Sequence, residues 1–548
     1  MKNTFTHNFT KIMAALLFTI FFAGSVSANG YYFYVQLTDK KNSPYSLTQP
    51  TDFLSARAIA RRVAFQLPID STDIPVNPAY IQGVEAAGVK VFRTTRWLNG
   101  LTVIAADSSV MSAVRALPYV KRVQYTGLAN SNPPLVGRQK FPRAKEVYDY
   151  GSATTQINQV NGAYMHNQGY TGAGIHVGVL DAGFSNVNIN PGFETLRSQG
   201  RLLGTKNIAG SADVYTLHSH GANVLSIITG NLPSQYLGAA PDASFWLIRT
   251  EVDPSEYLVE VDFWVSGIEF ADSVGVDVVN SSLGYTEFDD PAMNFTYNDM
   301  NGTVSRASIA ARMAAEKGII VCNSAGNSGN TVWKYIGSPA DADKILTVGA
   351  VTSTGTAASF SSYGPASDSR IKPEVSAMGS GTALIGTTGT VTWGSGTSYS
   401  SPIIAGMMAC YLQYVKANRT RYYIDDILQS VIASSSLYGY PHPQLGYGIP
   451  NFQVAMATLP TYSNIYEVKS KDLRIYLDNS NKILRLSLVN ESYIDGQIIV
   501  YNIAGQMCAT KDISYKEMKL DVNDLQSGVY VVTVRKNGIA ESQKIIIK

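Results

Sequence analysis

The chain has 548 residues, of which 45% are apolar and 15% charged, a composition typical of a folded protein with several domains. Its formal net charge is only +2 and it has no long charge runs, which argues against nucleic acid as a partner. The three cysteines lie far apart in the sequence, so neither a disulfide framework nor a paired-cysteine metal site is predicted.

Residues 1–28 are predicted to be a signal peptide. Two lysines precede an apolar run at 12–24, and Val26-Ser27-Ala28 supplies the small residues that a signal peptidase recognises. We expect cleavage after Ala28 and export. A membrane anchor is the alternative, but the run is shorter than the ~20 residues that a spanning helix needs, and no later stretch reaches that length.

Residues 29–128 alternate strands and helices in the compact order of a small ferredoxin-like α+β domain. This region contains no histidine, and nothing in it is typical of a catalytic site. Residues 129–147 are polar and rich in proline and basic residues, which predicts an exposed linker that a protease could cut. The predicted strands are 32–37, 89–93, 101–105 and 119–125, and the predicted helices are 52–63, 78–87 and 109–117.

Strands alternate with helices from 148 to 459, the pattern of a parallel sheet covered by helices. The apolar run 175–180 predicts a strand buried on both faces, and Asp181 follows it directly. Ligand sites in such sheets lie beyond the carboxyl ends of the strands, so Asp181 is a candidate functional residue. The alternative is that it only forms a turn.

His220 and Ser398 precede two further apolar segments. His220 comes just before 222–230, a predicted buried helix, and Ser398 ends a run of small residues before the apolar segment 403–412. Pro402 suits the first turn of that second helix, and the free N–H groups of a helix start favour a developing negative charge. Taken alone, the serine is more typical of a turn with an N-cap than of a nucleophile.

Asp181, His220 and Ser398 together predict nucleophilic catalysis. A serine hydroxyl is a poor nucleophile until a neutral imidazole can take its proton, and a carboxylate orients that imidazole and stabilises its charged form. His218 is a rival base, but only His220 directly precedes a glycine and the buried helix.

The chain resembles the subtilases, the subtilisin-like serine endopeptidases, in the three segments that carry these residues and in their Asp, His, Ser order. The family's His-Gly-Thr-His reads His220-Gly221-Ala222-Asn223 here, a difference at supporting positions only. The resemblance implies an α/β fold with a subtilisin-like parallel sheet and the catalytic triad Asp181, His220 and Ser398. The similar segments are Val179-Leu180-Asp181-Ala182-Gly183, His220-Gly221 with Val224, and Gly396-Thr397-Ser398 with Pro402.

Two segments between these also resemble family segments. Asn327 lies in a stretch similar to the oxyanion loop, which implies that its side chain donates to the oxygen of the tetrahedral intermediate. Ser282, Leu283 and Gly284 resemble the segment that pairs with the backbone of an extended substrate. Region 29–128 resembles a subtilase propeptide, which implies that it assists folding, blocks the cleft and is cut off between about 128 and 148.

The last region, 460–548, is predicted to be an all-β sandwich, with strands at 473–477, 483–488, 496–501 and 528–534. Its motifs resemble the C-terminal sorting domains of the type IX secretion system, which implies passage across an outer membrane and a secreted or cell-surface location. A sandwich that stabilises the protein or binds carbohydrate is the alternative. The similar motifs are Tyr501-Asn502-Ile503-Ala504-Gly505-Gln506, Ser527-Gly528-Val529-Tyr530 and Lys544-Ile545-Ile546-Ile547-Lys548.

We therefore expect a secreted serine endopeptidase made as an inhibited precursor. Its expected partners are protein or peptide substrates, its own propeptide and the outer-membrane secretion machinery, with no nucleic acid and no transmembrane segment in the mature form. An inert relative that binds peptides or surfaces is the alternative. An α/β-hydrolase esterase fits less well, because Ser400 stands where its nucleophile turn needs a glycine.

No cofactor and no catalytic metal are expected. The aromatic loop 285–302 contains Asp289, Asp290 and Asp299, for which a structural calcium ion and a solvated loop are the two interpretations.

Overall fold

The computed structural model describes residues 30–129, 148–253, 255–460, 473–478, 482–488, 496–514, 517–536 and 539–547. The predicted signal peptide and the predicted linker, except for Ala129, lie outside these ranges. Within them, no helix is both long enough and apolar enough to cross a membrane.

The N-terminal region is an antiparallel sheet of four strands in the order β2-β3-β1-β4, which confirms the predicted α+β fold. The helix predicted to begin at Asp52 begins at Ala56 instead, because the Ser55 Oγ accepts a hydrogen bond from the Ala58 N–H at 3.2 Å and caps it. The strands are β1 (Gly30–Leu37), β2 (Lys90–Thr95), β3 (Gly100–Ala105) and β4 (Val120–Ala129), and the helices are α1 (Ala56–Phe65), α2 (Pro78–Ala86) and α3 (Met111–Arg115).

The central region is built on a parallel sheet of seven strands in the order β13-β12-β11-β10-β5-β9-β6, as predicted. Two short hairpins, β7-β8 and β14-β15, lie outside it. The strands are β5 (His176–Asp181), β6 (Leu202–Asn207), β7 (Asn231–Leu232), β8 (Tyr236–Leu237), β9 (Ser244–Arg249), β10 (Val278–Ser281), β11 (Ile320–Ser324), β12 (Leu346–Val351), β13 (Val375–Met378), β14 (Thr382–Ile385) and β15 (Val391–Gly394).

Helices cover both faces of this sheet, as the continuous apolar strands predict. Two of them, α7 and α10, share one apolar core with alternate strand residues such as Val177 and Val179, while α8 and α9 share a second core with Leu180 and Val279. The helices are α4 (Thr154–Gln159), α5 (Gly162–Asn167), α6 (Glu194–Ser198), α7 (His220–Thr229), α8 (Val259–Val274), α9 (Arg306–Glu316), α10 (Thr397–Asn418), α11 (Ile424–Ala433) and α12 (Phe452–Thr458).

The N-terminal sheet packs against α8. The Tyr32 ring meets the Phe263 ring edge-on, with the ring centroids 5.7 Å apart. The buried carboxylate of Glu269 accepts hydrogen bonds from the Arg96 N–H at 2.9 Å and from the Trp97 N–H at 3.1 Å. The first region is therefore attached to the central region by apolar and polar contacts together.

The C-terminal region consists of two antiparallel sheets, β16-β17-β20 and β19-β18-β21-β22, which share one apolar core and form the predicted sandwich. The prediction missed β19, β20 and β22. The side chains of β19 are almost all exposed, so its sequence lacks the alternation that marks a half-buried strand. The strands are β16 (Leu473–Asp478), β17 (Ile483–Leu488), β18 (Gln497–Asn502), β19 (Met507–Asp512), β20 (Glu517–Asp521), β21 (Gly528–Lys536) and β22 (Ile539–Ile547).

Candidate active site

A carboxylate and an imidazole meet at the carboxyl end of β5. The Nδ1 atom of His220 lies 2.8 Å from Asp181 Oδ1 and 3.0 Å from Asp181 Oδ2. The Asp181 side chain is fully buried, whereas a quarter of the His220 side chain is exposed. With Nδ1 held by the carboxylate, the Nε2 atom of His220 is left to exchange a proton with another group.

This pairing depends on a close approach between α7 and the end of β5. A Cβ atom on Gly221 would lie 2.8 Å from the Asp181 Cβ and 2.5 Å from the carbonyl oxygen of Gly183. Any side chain at Gly221 would therefore push the first turn of α7, and His220 with it, away from Asp181. The glycine after the histidine is required by packing.

The pKa of the His220 imidazole is raised above its ordinary value of 6.5. Burial alone would lower it, but the charge and the hydrogen bond of Asp181 outweigh burial, and Glu251 adds a smaller contribution. The protonated form of the His220 imidazole, which a general base reaches after taking a proton, is therefore already stabilised before any reaction.

Ser398 is the second residue of α10 and lies near this pair. The Tyr399 and His220 rings have centroids 6.1 Å apart, so the start of α10 is next to the imidazole. Among the described residues, the Ser398 Oγ donates a hydrogen bond to the Ser282 carbonyl oxygen at 3.4 Å and none to His220. Such catalytic hydrogen bonds are often loose without substrate.

The position of Pro402 differs from the prediction. It lies inside α10, after the first turn, because the helix already begins at Thr397. A proline has no N–H to donate to the carbonyl four residues earlier, which here belongs to Ser398. The Ser282 Oγ donates to that carbonyl oxygen at 3.0 Å instead. Ser282 therefore holds the backbone of Ser398, a role that sequence reasoning missed.

The carboxamide of Asn327 is oriented by Thr397. The Asn327 Oδ1 accepts hydrogen bonds from the Thr397 N–H at 2.8 Å and from the Thr397 hydroxyl at 3.0 Å. The same hydroxyl accepts from the Gly326 N–H at 3.1 Å. Because the oxygen is fixed by two donors, the exposed amide nitrogen Nδ2 is directed outward as a donor. Thr397 was not singled out from the sequence, although it is the residue directly before Ser398.

The three residues after β10 become progressively more exposed. Ser282 is buried, Leu283 is half-buried and Gly284 is exposed. Tyr285 then forms backbone hydrogen bonds of 2.7 and 3.2 Å with Ser338, which anchors the chain beyond them. The segment 282–284 thus presents open backbone next to Ser398.

The residues that could replace His220 or Ser398 by residue type lie in different surroundings. His218 is exposed, and its Nδ1 accepts a hydrogen bond from the His220 N–H at 3.2 Å. Ser400 and Ser401 are fully buried, and their hydroxyls donate to the Thr397 carbonyl at 3.0 Å and to Asn280 Oδ1 at 2.8 Å. Neither serine can reach a reactant in the cleft.

A cluster of three carboxylates beside the site was also missed by sequence reasoning. One carboxylate oxygen from each of Glu251, Glu256 and Glu260 lies within 4.8 Å of the other two, a spacing at which the three could hold a metal ion. Burial raises the pKa of Glu251 to about 7 and that of Glu256 to about 8. The Tyr285 hydroxyl donates to Glu251 Oε1 at 2.7 Å. The three glutamates come from the loop after β9 and the first turn of α8, so their close spacing in the sequence was a local signal of this cluster.

The three aspartates of loop 285–302 accept hydrogen bonds from backbone N–H groups, two within the loop and one from Glu256. Asp289 Oδ2 accepts from the Glu256 N–H at 3.2 Å, Asp290 Oδ1 from the Ala292 N–H at 3.0 Å, and Asp299 Oδ2 from the Thr296 N–H at 2.7 Å. These bonds are those of an ordinary loop with capped turns. A calcium ion in this loop stays a prediction.

Comparison with known proteins gives three family matches along the chain. The model of the Subtilase family matches residues 172–449. The Peptidase S8 propeptide domain of Bacteroidota matches residues 32–142, and the Secretion system C-terminal sorting domain matches residues 478–548. The three matches follow one another in the order that the sequence predicted.

Several characterised proteins are similar over the central region. Subtilisin NAT from Bacillus subtilis subsp. natto is 30% identical over 261 residues, which cover 47% of this chain and 60% of that protein. Subtilisin DY from Bacillus licheniformis is 32% identical over 253 residues, which cover 45% of this chain and 79% of that protein. The solved structure of the prenylagaramide maturation protease PagA aligns with a TM-score of 0.44 and 23% identity, over 55% of this chain and 98% of that one.

We predict that the His220 imidazole titrates above pH 6.5 and that Glu251→Gln lowers its pKa, because the substitution removes a negative charge that favours the imidazolium. The measurement is an NMR titration of the histidine ring resonances in the intact protein. Comparison with His220→Ala assigns the resonance that belongs to this ring. A His220 pKa at or below 6.5, or an increase in Glu251→Gln, would contradict this account.

Proposed function

The chain belongs to the subtilase family, and we propose that it is a secreted serine endopeptidase that hydrolyses peptide bonds in proteins and is made as an inhibited precursor. One observation carries the proposal. The hydrogen-bonded pair of Asp181 and His220 lies beside the start of α10, where Ser398 is held by Ser282 and where Thr397 orients Asn327. One edge of the sheet then offers a nucleophile, a base, the carboxylate partner of that base and an oxyanion donor.

In the proposed reaction, the Ser398 Oγ attacks the carbonyl carbon of the scissile bond while His220 Nε2 takes the hydroxyl proton. Asp181 keeps the imidazole oriented and stabilises its positive charge. The oxygen of the tetrahedral intermediate accepts hydrogen bonds from Asn327 Nδ2 and from the Ser398 backbone N–H at the start of α10. His220 then gives the proton to the leaving amine, which breaks the C–N bond and leaves an acyl group on Ser398.

Deacylation repeats these steps with water. His220 takes a proton from the water molecule as its oxygen attacks the acyl carbon, and the proton returns to the Ser398 oxygen when the ester bond breaks. The carboxylic acid product leaves and the site is restored. No redox step and no external reactant other than water is needed.

Substrate recognition is proposed to rest on backbone pairing with residues 282–284. An extended peptide can form hydrogen bonds with the open backbone around Gly284, whatever its side chains are. This mode of binding suits a protease that acts on unfolded or loop segments of proteins.

The C-terminal sorting domain indicates secretion or attachment at the cell surface. We propose that the outer-membrane secretion machinery recognises this domain. We also propose that the propeptide region keeps the cleft closed until the linker at 129–147 is cut. The placement of the propeptide match directly before the linker supports this order of events.

An inert relative that binds peptides through the same groove is the second candidate. It differs from the enzyme in one respect only, the reactivity of Ser398. Retention of all four chemical groups favours the enzyme, because a binding protein has no need of an oriented imidazole.

We predict that the chain, once cut in its linker, reacts covalently with a fluorophosphonate probe and that Ser398→Ala abolishes this labelling. The probe reports only a serine made nucleophilic by a base. Ser400→Ala is the matched control, because this neighbouring serine is buried, and it should label like the unaltered protein. Absence of labelling in the unaltered, cut chain would favour the inert binding protein.

We predict that Asn327→Ala lowers kcat by about 10²–10³ with a smaller change in KM, the loss known for the corresponding donor of subtilisin. Thr397→Val, which removes the hydroxyl that holds Asn327, should lower kcat less, by about tenfold. Steady-state kinetics on a peptide substrate measure both effects. An unchanged kcat in Asn327→Ala would exclude this residue from the oxyanion site.

We predict that N-terminal sequencing of the secreted, active protein finds a first residue between about 128 and 148. The polar, proline-rich sequence of the linker predicts a site that a protease can cut between the two folded regions. A fully active form in which no polypeptide begins between 128 and 148, so that residues 29–548 remain one uncut chain, would contradict the precursor proposal without affecting the assignment of Ser398.

A further inference from the structure

The segment that connects β1 to α2, residues 38–77, reaches a part of the protein far from the candidate active site. We call it the base segment. Its helix α1 contacts the loops that lead into β5, β10 and β11. Arg57 Nη2 donates to the Gly174 carbonyl at 2.8 Å, and Arg61 Nε donates to the Lys317 carbonyl at 3.2 Å.

These contacts lie at the amino ends of the parallel strands. Gly174 precedes β5 and Lys317 precedes β11, whereas Asp181 is the last residue of β5, at its carboxyl end. A strand of six residues separates its two ends by roughly 17–20 Å. The base segment and the cleft are therefore at opposite edges of the same sheet.

Buried ion pairs join the base segment to the central region. Arg61 and Arg62 both pair with Asp272, whose side chain is fully buried, and Arg62 does so through two hydrogen bonds of 2.9 and 3.0 Å. Arg57 pairs with the almost fully buried Asp277. Burial alone would raise the pKa of Asp272, but Arg61 and Arg62, together with Arg96, hold it below its usual range and keep the carboxylate charged.

A further ion pair links the two regions, with its acidic residue in the base segment and its basic residue in the central region. Lys317 of the central region lies 3.1 Å from the carboxylate of Asp73, which also accepts from Arg62 Nη2 at 2.7 Å. Asp73, Arg62 and Asp272 thus form a continuous buried chain of charges across the boundary. Such a chain requires both sides to be present, since a buried charge without its partner is strongly unfavourable.

An apolar contact completes the attachment. Phe65, the last residue of α1, is 3% exposed and belongs to the main apolar core of the central region. Its ring meets the ring of Tyr422 edge-on, with the centroids 5.1 Å apart. The N-terminal region therefore supplies a side chain to the interior of the region that it is expected to inhibit.

Inhibition of the cleft does not account for these contacts. A segment that only blocks substrate access has to reach the carboxyl edge of the sheet. Strand β4, which leads toward the linker, lies on the face formed by α8 and α9, where the Gln124 side chain accepts a hydrogen bond from Arg306 at 2.9 Å. Blocking the cleft therefore needs no contact at the amino edge. The base segment instead makes the kind of contact found inside a stable domain.

We propose that the N-terminal region remains bound after the linker is cut, attached through the base segment at the amino edge of the sheet, and serves as a permanent structural subunit. The proposal rests on the proposed function only in that the linker is cut. Cutting the linker would free the cleft. The contacts of the base segment do not involve the cleft, so they would keep the N-terminal region in place.

The experiment uses the full chain with Ser398→Ala and a recognition sequence for an unrelated protease inserted in the linker. After cutting, size-exclusion chromatography at nanomolar concentration shows whether the N-terminal fragment stays with the rest. We expect the two fragments to elute together. Separate elution would overturn the proposal. Because the cut is made by an added protease, this result does not depend on whether the chain is itself a peptidase.

Dissociation rates of variants then locate the attachment. Phe65→Ala and Arg57→Gln should release the N-terminal fragment at least about tenfold faster than the unaltered pair. Val63→Ala is the matched control, because this residue of the same helix is 71% exposed, and its rate should not change. Equal rates for Phe65→Ala and Val63→Ala would overturn the role of the base segment. Thermal unfolding of the uncut variants checks that they are folded, and if Phe65→Ala is unfolded, Arg57→Gln decides.

Discussion

The parallel pairing of β5 with β10 determines where each group of the candidate site lies. Residues 177–180 of β5 pair in register with residues 278–281 of β10, so the two strands end at the same edge of the sheet. Asp181 ends the first strand and Ser282 follows the second. Helices α7 and α10 begin at this edge, which brings His220 to Asp181 and the backbone of Ser398 to Ser282. A change of register would separate all of these groups at once.

Buried carboxylates have different partners at the two edges of the sheet. Asp181 faces an imidazole, which can gain and lose a proton near neutral pH, whereas Asp272 faces arginines, which stay charged. The carboxyl edge is thus suited to proton transfer, while the amino edge holds ion pairs between the N-terminal and central regions. A buried carboxylate can therefore either support proton transfer, when its partner is an imidazole, or hold two regions together, when its partner is a guanidinium group.

Local sequence predicted the parts of the site that depend on residue type and order. Asp181 after an apolar strand, His220 before a glycine and Ser398 before a buried helix each have a local signal. The support of these groups depends on contacts between distant segments, such as the Ser282 hydroxyl that replaces the missing donor of Pro402, and so has no local signal. The same limit applies to Phe65, whose apolar side chain predicts burial but not the region in which it is buried.

The most direct test of the account is whether Asp181, His220 and Ser398 act as one unit. Values of kcat for the three single alanine variants and the triple variant, measured after the linker has been cut by an added protease, decide this. If the groups form a catalytic triad, Ser398→Ala alone lowers kcat about as much as the triple substitution does, because the remaining two groups have no proton to transfer. Losses that add up from one substitution to the next, or substantial hydrolysis in Ser398→Ala, would contradict the assignment.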